Sequence, residues 1–171
     1  MSNSTSYILQ IFVEDPELKE AYASHIQAHI NRLTEQGQYA DSGFDLLVPH
    51  DINPEANQNP IKIDMEISCA MLRKDLIGDY EPCGFYLYPR SSLYRTNLRL
   101  TNSVGIIDSG YRGHLAGVFD VVKPTSISRY SRLLQICTTD LRPIVDIRLV
   151  DTLDELGETT RGGGGFGSTG V

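Results

Sequence analysis

The chain has 171 residues, of which 15 are lysine or arginine and 22 are aspartate or glutamate, so its formal net charge is −7. This length suits one domain whose core is large enough to be stable without disulfides or a structural metal. The acidic balance, without any lysine- or arginine-rich run, argues against nucleic acid and anionic membranes as partners. Small phosphorylated molecules are not excluded as ligands.

The cysteines and the apolar runs exclude further classes of protein. Cys69, Cys83 and Cys137 are odd in number and far apart, which disfavours a disulfide framework or a zinc ribbon. The N-terminal sequence MSNSTSYILQ lacks the basic start and long apolar stretch of a signal peptide, and no run approaches the ~18 apolar residues of a membrane span. We therefore expect a soluble intracellular protein, cytoplasmic or nuclear.

A strand and then a helix are predicted near the N-terminus. Residues 7–13 (YILQIFV) form a short β-rich run. Asp15 and Pro16 are typical of a helix N-cap and first helical position, and Gly37 is typical of a helix end. Residues 15–36 are predicted to form one amphipathic helix. Its apolar face consists of Leu18, Tyr22, Ile26, Ile30 and Leu33.

After this helix the pattern is that of strands. Residues 61–71 alternate apolar and polar side chains, as in a strand with one buried face. Further β-type runs, separated by turn signals, lie at 44–48, 85–88, 114–122, 133–137 and 143–150. Many short strands with frequent turns predict an all-β fold, a sandwich or jelly-roll-like β-barrel, with the helix as an appendage.

Two segments hold polar residues that plain strands do not explain. Asp45 lies inside the apolar run FDLL, where a charge needs a metal, a ligand or an arginine partner in the core. In residues 89–92 (PRSS), Arg90 and two hydroxyl groups follow an apolar run, which suits phosphate oxygens. An ordinary turn started by Pro89 is the alternative.

Residues 101–113 (TNSVGIIDSGYRG) are the most informative stretch. The sequence DSG predicts a hairpin-type turn, and Ile106 and Ile107 before it are expected to pack inward. The turn would hold Asp108 and Tyr111 at a rigid strand end, where a carboxylate can act as a general base. A plain β-turn is the alternative, but the three glycines of the stretch favour close approach of a ligand.

The C-terminal residues 161–171 hold six of the chain's 15 glycines. Composition predicts a flexible arm after a β core of residues 1–160. A mere linker has no use for Phe166. An arm that closes on a ligand would use glycine for unusual backbone angles, Arg161 and Ser168 for phosphate, and Phe166 to stack on a flat ring.

His25 and His29 are spaced as two metal ligands on one helix face would be. No further histidine or cysteine has a matching spacing. We therefore expect both side chains on a solvated face of the helix.

Taken in order, SGFDL, PRSS, GIIDSGYRG, SRLLQI and RGGGGFGSTG resemble the five ordered motifs of the trimeric dUTPases, over residues 39–171. The third and fifth motifs are the most specific. The resemblance implies homotrimers of jelly-roll subunits that hydrolyse dUTP to dUMP and pyrophosphate with Mg²⁺. This activity limits uracil incorporation into DNA and supplies dUMP for dTMP synthesis. Each active site would take motifs from neighbouring subunits, and one subunit's arm would close over it.

The resemblance also implies roles for individual residues. Asp108 would activate the water that attacks the α-phosphorus, Asp45 would hold Mg²⁺ through coordinated water, and Tyr111 would pack under the deoxyribose and exclude a 2′-hydroxyl. The implied phosphate contacts are Arg90, Ser91, Ser92, Gln135 and Arg161. Uracil would be read by backbone groups of a hairpin around Asn102, Gly105, Ile106 and Ile107, and by the arm residues Phe166, Gly167 and Ser168.

Two rival functions remain at this stage. The dCTP deaminases share the fold and resemble the second and third motifs, but their deaminating glutamate would fall at Val118. A catalytically idle relative could act as a binding or regulatory module, although the intact Asp45, Asp108 and Phe166 argue against lost catalysis. Helix 15–36 stands where the family has a shorter connection, so it is a candidate contact surface for an additional partner.

Overall fold

The computed structural model describes residues 6–55, 58–74 and 77–164. Within these ranges the chain forms ten strands, one α-helix and three short 3₁₀ turns. The strands are β1 Tyr7–Val13, β2 Gly43–Leu47, β3 Ile61–Lys74, β4 Tyr80–Cys83, β5 Phe85–Pro89, β6 Leu98–Leu100, β7 Gly105–Ile107, β8 His114–Val121, β9 Arg132–Cys137 and β10 Asp146–Val150. Helix α1 is Pro16–Gln36, and the 3₁₀ turns are Gly37–Tyr39, Ser91–Thr96 and Leu153–Leu156. In the part of the chain so described, no helix is both long and apolar enough to cross a membrane.

The strands form two sheets. One has six strands in the order β10-β1-β3-β8-β6, with β4 paired to β3, and the other has four in the order β2-β9-β5-β7. Only the β1–β10 pair is parallel among the described pairs. The predicted mostly-β fold is confirmed. Strands β4, β6 and β7 were not predicted, because three or four residues are too few to display an alternating pattern.

Helix α1 belongs to the core and is not the appendage that the sequence suggested. Leu18, Tyr22 and Ile26 are buried in one hydrophobic cluster with residues of both sheets. Its ends agree with the prediction. The Asp15 side chain accepts the Leu18 N–H at 2.7 Å, and Gly37, with φ of 56°, donates its N–H to the Leu33 carbonyl.

In the C-terminal half of α1, the buried face is not the predicted one. His29 is 2% exposed, whereas Ile30 is 37% exposed. Successive steps of four residues advance by 40° beyond a full turn, so Ile30 lies about 120° from Leu18 around the helix axis. His29 lies within about 20° of Leu18, and it therefore continues the buried face. Its imidazole is not on a solvated face, as had been expected.

The region from β6 to β8 differs from the predicted hairpins. Strand β7 pairs with β5 in the four-stranded sheet, whereas β6 and β8 pair with each other in the six-stranded sheet. Residues 101–104 and 108–113 therefore cross between sheets and do not close hairpins. Because β7 is an edge strand, its alternation leaves Ile106 71% exposed, and only Ile107 packs against the core.

Candidate active site

Three neighbouring strands of the four-stranded sheet bring predicted site residues together. Asp45 of β2 lies opposite Gln135 of β9, and Gln135 lies opposite Tyr88 of β5, so the three side chains share a face. Arg90 and Ser91 follow directly after β5. All five residues line one cavity of about 700 Å³, which we call the Asp45 cavity.

Asp45 forms two ion pairs inside this cavity. Its Oδ1 lies 2.7 Å from Arg90 Nε and its Oδ2 lies 3.2 Å from Arg132 Nη1, with the carboxylate side chain only 12% exposed. The arginine partner that the sequence analysis left open is therefore present. Removing Asp45 would leave two guanidinium groups without their anion in a half-enclosed site.

Arg132 had not been predicted as a site residue. Between the pairs Asp45–Gln135 and Leu47–Arg132, two steps along β2 match three steps along β9. This bulge carries Arg132 to the same side as Gln135, although simple alternation would direct residues three apart to opposite faces. The side chain of Ser92, by contrast, does not line the cavity but lies with its Oγ 3.4 Å from Arg90 Nη1.

Helix α1 supports β2 from the side where the sheet ends. The backbone groups on the outer edge of β2 have no strand partner, since β2 is the terminal strand of its sheet. Tyr22 Oη accepts the Leu47 N–H at 3.0 Å, and the His25 Nε2–H donates to the Asp45 carbonyl at 3.0 Å. Two side chains of α1 therefore hold the strand that carries Asp45.

The two histidines of α1 make stability depend on pH. His29 donates its Nε2–H to the Ile144 carbonyl at 3.0 Å, and burial lowers the pKa of both His25 and His29 below the usual 6.5. In the unfolded chain both rings protonate near pH 6.5, whereas the folded state resists the charge. Stability is therefore complete above that pH and falls as the pH drops through it.

We expect the melting temperature to fall by a few degrees between about pH 7.5 and pH 5.5, and we expect His29→Gln to flatten this dependence. Differential scanning calorimetry measures both. Gln27→Ala, an exposed change on the same helix that alters no titratable group, is the control and should keep the wild-type slope. An unchanged slope in His29→Gln would show that other groups cause the dependence.

A second cavity of about 220 Å³, here called the Asp108 cavity, gathers the residues of the third motif. Among the residues that line it are Asn102, Gly105, Ile106, Ile107, Asp108, Tyr111 and Arg161. The half-exposed Asp108 carboxylate forms an ion pair with the Arg161 guanidinium. A carboxylate in this position can accept a proton from a bound water once that guanidinium leaves it.

Residues on both sides of the boundary between the predicted core and the predicted arm lie against the turn that carries Asp108. The Thr159 hydroxyl donates to the Gly110 carbonyl, and the Arg112 N–H donates to the Gly162 carbonyl at 2.8 Å. The remaining arm residues predicted to contact substrate, Phe166, Gly167 and Ser168, lie outside the described residues.

Tyr111 is held in one orientation beside Asp108. Its O–H donates to the His114 carbonyl at 2.9 Å, and burial raises the pKa of the phenol, so it stays protonated at neutral pH. A Cβ on Gly113 would lie 2.5 Å from Tyr111 Oη, so a side chain at this position would displace the Tyr111 ring. The ring is therefore available as a fixed wall of the cavity.

Arg112 organises the same turn and was not singled out from the sequence. Its Nε donates to the Leu156 carbonyl at 2.9 Å, and its Nη1 donates to the Ser109 carbonyl at 2.9 Å. The hydrogen bonds of this guanidinium are made to backbone carbonyl groups, so Arg112 fixes the shape of the turn. Its place in the motif GYRG was the available signal, but the distant carbonyl partners could not be read from sequence.

Apart from Ser92 and the arm residues outside the described ranges, the predicted site residues thus divide between two cavities that share no lining residue. Neither offers a thiolate nucleophile, because burial raises the pKa of Cys137 in the Asp45 cavity to about 11. Across residues 6–55, 58–74 and 77–164, no three His, Cys, Asp or Glu side chains are grouped as metal ligands. A mostly-β domain with arginines in one cavity and a carboxylate in the other has the features of a site for a phosphorylated ligand.

Comparison with known proteins agrees with this class. Residues 29–170 match the family model described as dUTPase. The deoxyuridine 5′-triphosphate nucleotidohydrolase of Cutibacterium acnes is 31% identical over 137 residues, covering 77% of this chain and 80% of that relative. The enzyme of the same name from Mycobacterium leprae is 38% identical over 90 residues, covering 49% and 58%. The crystal structure of dUTPase from Streptococcus mutans is 21% identical with a TM-score of 0.46, covering 65% of this chain and 82% of that one.

The chain belongs to the dUTPase family, since the family model covers most of its length. Strand β1 and the first turns of α1 precede the matched residues.

Proposed function

We propose that this protein hydrolyses dUTP to dUMP and pyrophosphate, with Asp108 as the general base for water attack on the α-phosphorus. The observation that carries the proposal is the dUTPase family match over residues 29–170, within which the described predicted site residues other than Ser92 line two cavities. Such an enzyme would act inside cells, where it limits uracil incorporation into DNA and supplies dUMP for dTMP synthesis.

The two cavities suit different parts of the nucleotide. Arg90, Ser91 and Gln135 offer a guanidinium, a hydroxyl and an amide in the Asp45 cavity, and these groups suit phosphate oxygens. The Asp108 cavity is smaller and carries the exposed Ile106 on its rim, which suits the nucleoside. There the fixed ring of Tyr111 would exclude a 2′-hydroxyl, and backbone groups of residues 102–107 would read the uracil edge.

Mg²⁺ is the expected cofactor. In the Asp45 cavity, the residue that suits the ion is Asp45. Magnesium sites often combine one or two carboxylates with phosphate oxygens and retained waters. Both oxygens of Asp45 already accept from arginines, so this carboxylate suits contact through a coordinated water. The ion, arriving with the nucleotide, would neutralise charge on the phosphates.

In this proposal the Arg161 guanidinium can pair either with the Asp108 carboxylate or with the terminal phosphate of the nucleotide. In the described chain its guanidinium pairs with Asp108. A terminal phosphate carries more negative charge than a carboxylate, so substrate binding would draw Arg161 away. Asp108 would then be free to take the proton of the attacking water.

Pyrophosphate release from dUTP, dTTP, dCTP and UTP tests the function. We expect rapid release from dUTP with Mg²⁺, little from the other three nucleotides, and none when the metal is chelated. Comparable turnover of UTP would contradict the role of Tyr111. Ammonia release from dCTP would support the deaminase, and tight dUTP binding without turnover would support an idle binding module.

We further propose that the enzyme is a homotrimer with active sites shared between subunits. The separation of the Asp45 and Asp108 cavities within one chain supports this, because each would then face its complement on a neighbour. Large apolar side chains also remain uncovered near Arg90, where Tyr94 is 73% and Val122 55% exposed. Closure into a jelly-roll barrel is part of the same family proposal.

Mixing two inactive variants tests the shared site. Asp45→Asn and Asp108→Asn chains, each inactive alone, should regain about a quarter of wild-type activity after unfolding and refolding together, because random assembly completes one site in four. Each variant refolded with itself is the control, and Arg90→Gln replaces Asp45→Asn if the latter does not fold. No recovery, together with a monomer mass from light scattering, would contradict the shared site.

A further inference from the structure

Arg32, on the last turns of α1, lines the Asp45 cavity together with Arg90 and Arg132. It is half-buried, and it lies outside the five motifs from which the site was predicted. The helix that carries it was predicted only as a contact surface for an additional partner, not as part of the site. Its presence in the cavity connects that helix directly to the candidate site.

The three arginines of the cavity differ in their partners. Arg90 and Arg132 are both paired with Asp45, whereas Arg32 has no carboxylate within 4.0 Å among the described residues. Its side chain lies on the cavity wall that Arg90 and Arg132 also line, so three guanidinium groups share one cavity. An unpaired guanidinium in a half-enclosed cavity favours a bound anion.

Helix α1 holds Arg32 in a fixed position. Tyr22 and His25 bind the backbone of β2, and His29 binds the Ile144 carbonyl. These three attachments lie on the buried side of the helix and span two turns before Arg32. The backbone from which the guanidinium extends is therefore fixed before any ligand arrives, so binding costs less ordering entropy.

We infer that Arg32 binds the pyrophosphate portion of the nucleotide, which is the leaving group of the reaction. This rests on the proposed function. There, the water oxygen bonds to the α-phosphorus, its proton passes to Asp108, and the bridging oxygen leaves with the bonding electron pair. In this proposal Asp108 acts at the α-phosphorus, and the β- and γ-phosphates extend into the Asp45 cavity, where the guanidinium groups suit their charge. A cation there stabilises the charge that develops on the leaving group.

Direct binding of inorganic pyrophosphate, measured by calorimetry without added metal, tests this role. Arg32→Gln should weaken pyrophosphate binding about 10- to 100-fold, as expected for loss of a charge-assisted hydrogen bond, and should change dUMP affinity less than about twofold. Arg32→Lys should recover part of the affinity. Lys123→Gln, which removes the same charge from an exposed position outside the described cavities, should bind as wild type does.

The outcomes separate this inference from the proposed function. Unchanged pyrophosphate affinity in a folded Arg32→Gln protein, or an equal loss of dUMP affinity, overturns the role of Arg32. Absence of pyrophosphate binding in the wild type also overturns it. If pyrophosphate binds through Arg32 but dUTP is not hydrolysed, the anion site stands and the proposed reaction fails. A melting curve of Arg32→Gln shows whether α1 remains docked.

Discussion

Asp108→Asn should reduce dUTP hydrolysis by about a thousandfold or more while leaving dUTP affinity nearly unchanged, because general-base catalysis contributes factors of about 10² to 10⁴. Asparagine has nearly the same shape as aspartate but cannot accept the proton of the attacking water. The carboxylate is half-exposed and lies on a turn, so folding does not depend on it. Single-turnover kinetics and equilibrium binding of dUTP measure the two effects separately.

The ion pair between Asp108 and Arg161 requires a second variant, because Asp108→Asn also releases the arm. Arg161→Ala releases the arm but keeps the carboxylate. We expect it to weaken dUTP binding, because unlike Asp108→Asn it also removes the guanidinium proposed to bind the terminal phosphate, and to retain more turnover than Asp108→Asn. Glu20→Gln, an exposed carboxylate-to-amide change on α1, is the matched control and should have wild-type kinetics. Substantial turnover by Asp108→Asn would contradict the general-base assignment.

Ending the chain at Thr160 should lower turnover about a hundredfold or more, since misplacing a closing segment by about 1 Å already costs about 10²-fold. The melting temperature should change by only a few degrees. The described contacts that this truncation removes are few and peripheral, mainly the Arg161–Asp108 ion pair and the Arg112–Gly162 hydrogen bond. Thr159 stays in place to donate to Gly110.

Phe166→Ala, in a chain that keeps residues 161–171, distinguishes the contribution of Phe166 from that of Arg161. It should lower affinity for dUTP while retaining the ion pair of Arg161, if the ring stacks on uracil as the family resemblance implies. Initial rates over a range of dUTP concentrations distinguish loss of affinity from loss of turnover. A protein truncated after Thr160 with full activity would refute the closing arm.

Short-range signals were sufficient for the elements with strong local patterns. The ends of α1 follow from Asp15, Pro16 and Gly37, because capping satisfies backbone groups within four residues of the cap. The alternation of residues 61–71 likewise identified β3, but the predicted single buried face is wrong for Ile67–Met71, where both faces of the strand are buried. The grouping of Arg90 and Ser91 after a strand was also correct, since the strand and the turn are adjacent in sequence.

Errors arose where distant parts of the chain decide burial. Ile106 and Ile107 were both expected to pack inward, but only Ile107 packs against the core, and alternation along β7 leaves Ile106 on the opposite, uncovered face. His29 was expected in solvent, but the Ile144 carbonyl, 115 residues away, gives its N–H a buried partner. Neither neighbour is specified by the residues around the position concerned, so local periodicity could not reveal them.

The sequence by itself determined the mostly-β class, the helix limits and, through five ordered motifs, the residue types of a nucleotide-hydrolysing site. These properties depend on local pattern and on chemistry carried by single residues. Only the tertiary structure decided that Asp45 pairs with Arg90 and Arg132, that the motif residues divide between two cavities, and that α1 brings Arg32 to one of them. The physical reason is that ion pairs and cavities depend on strand order, register and one bulge, which bring together residues far apart in the chain.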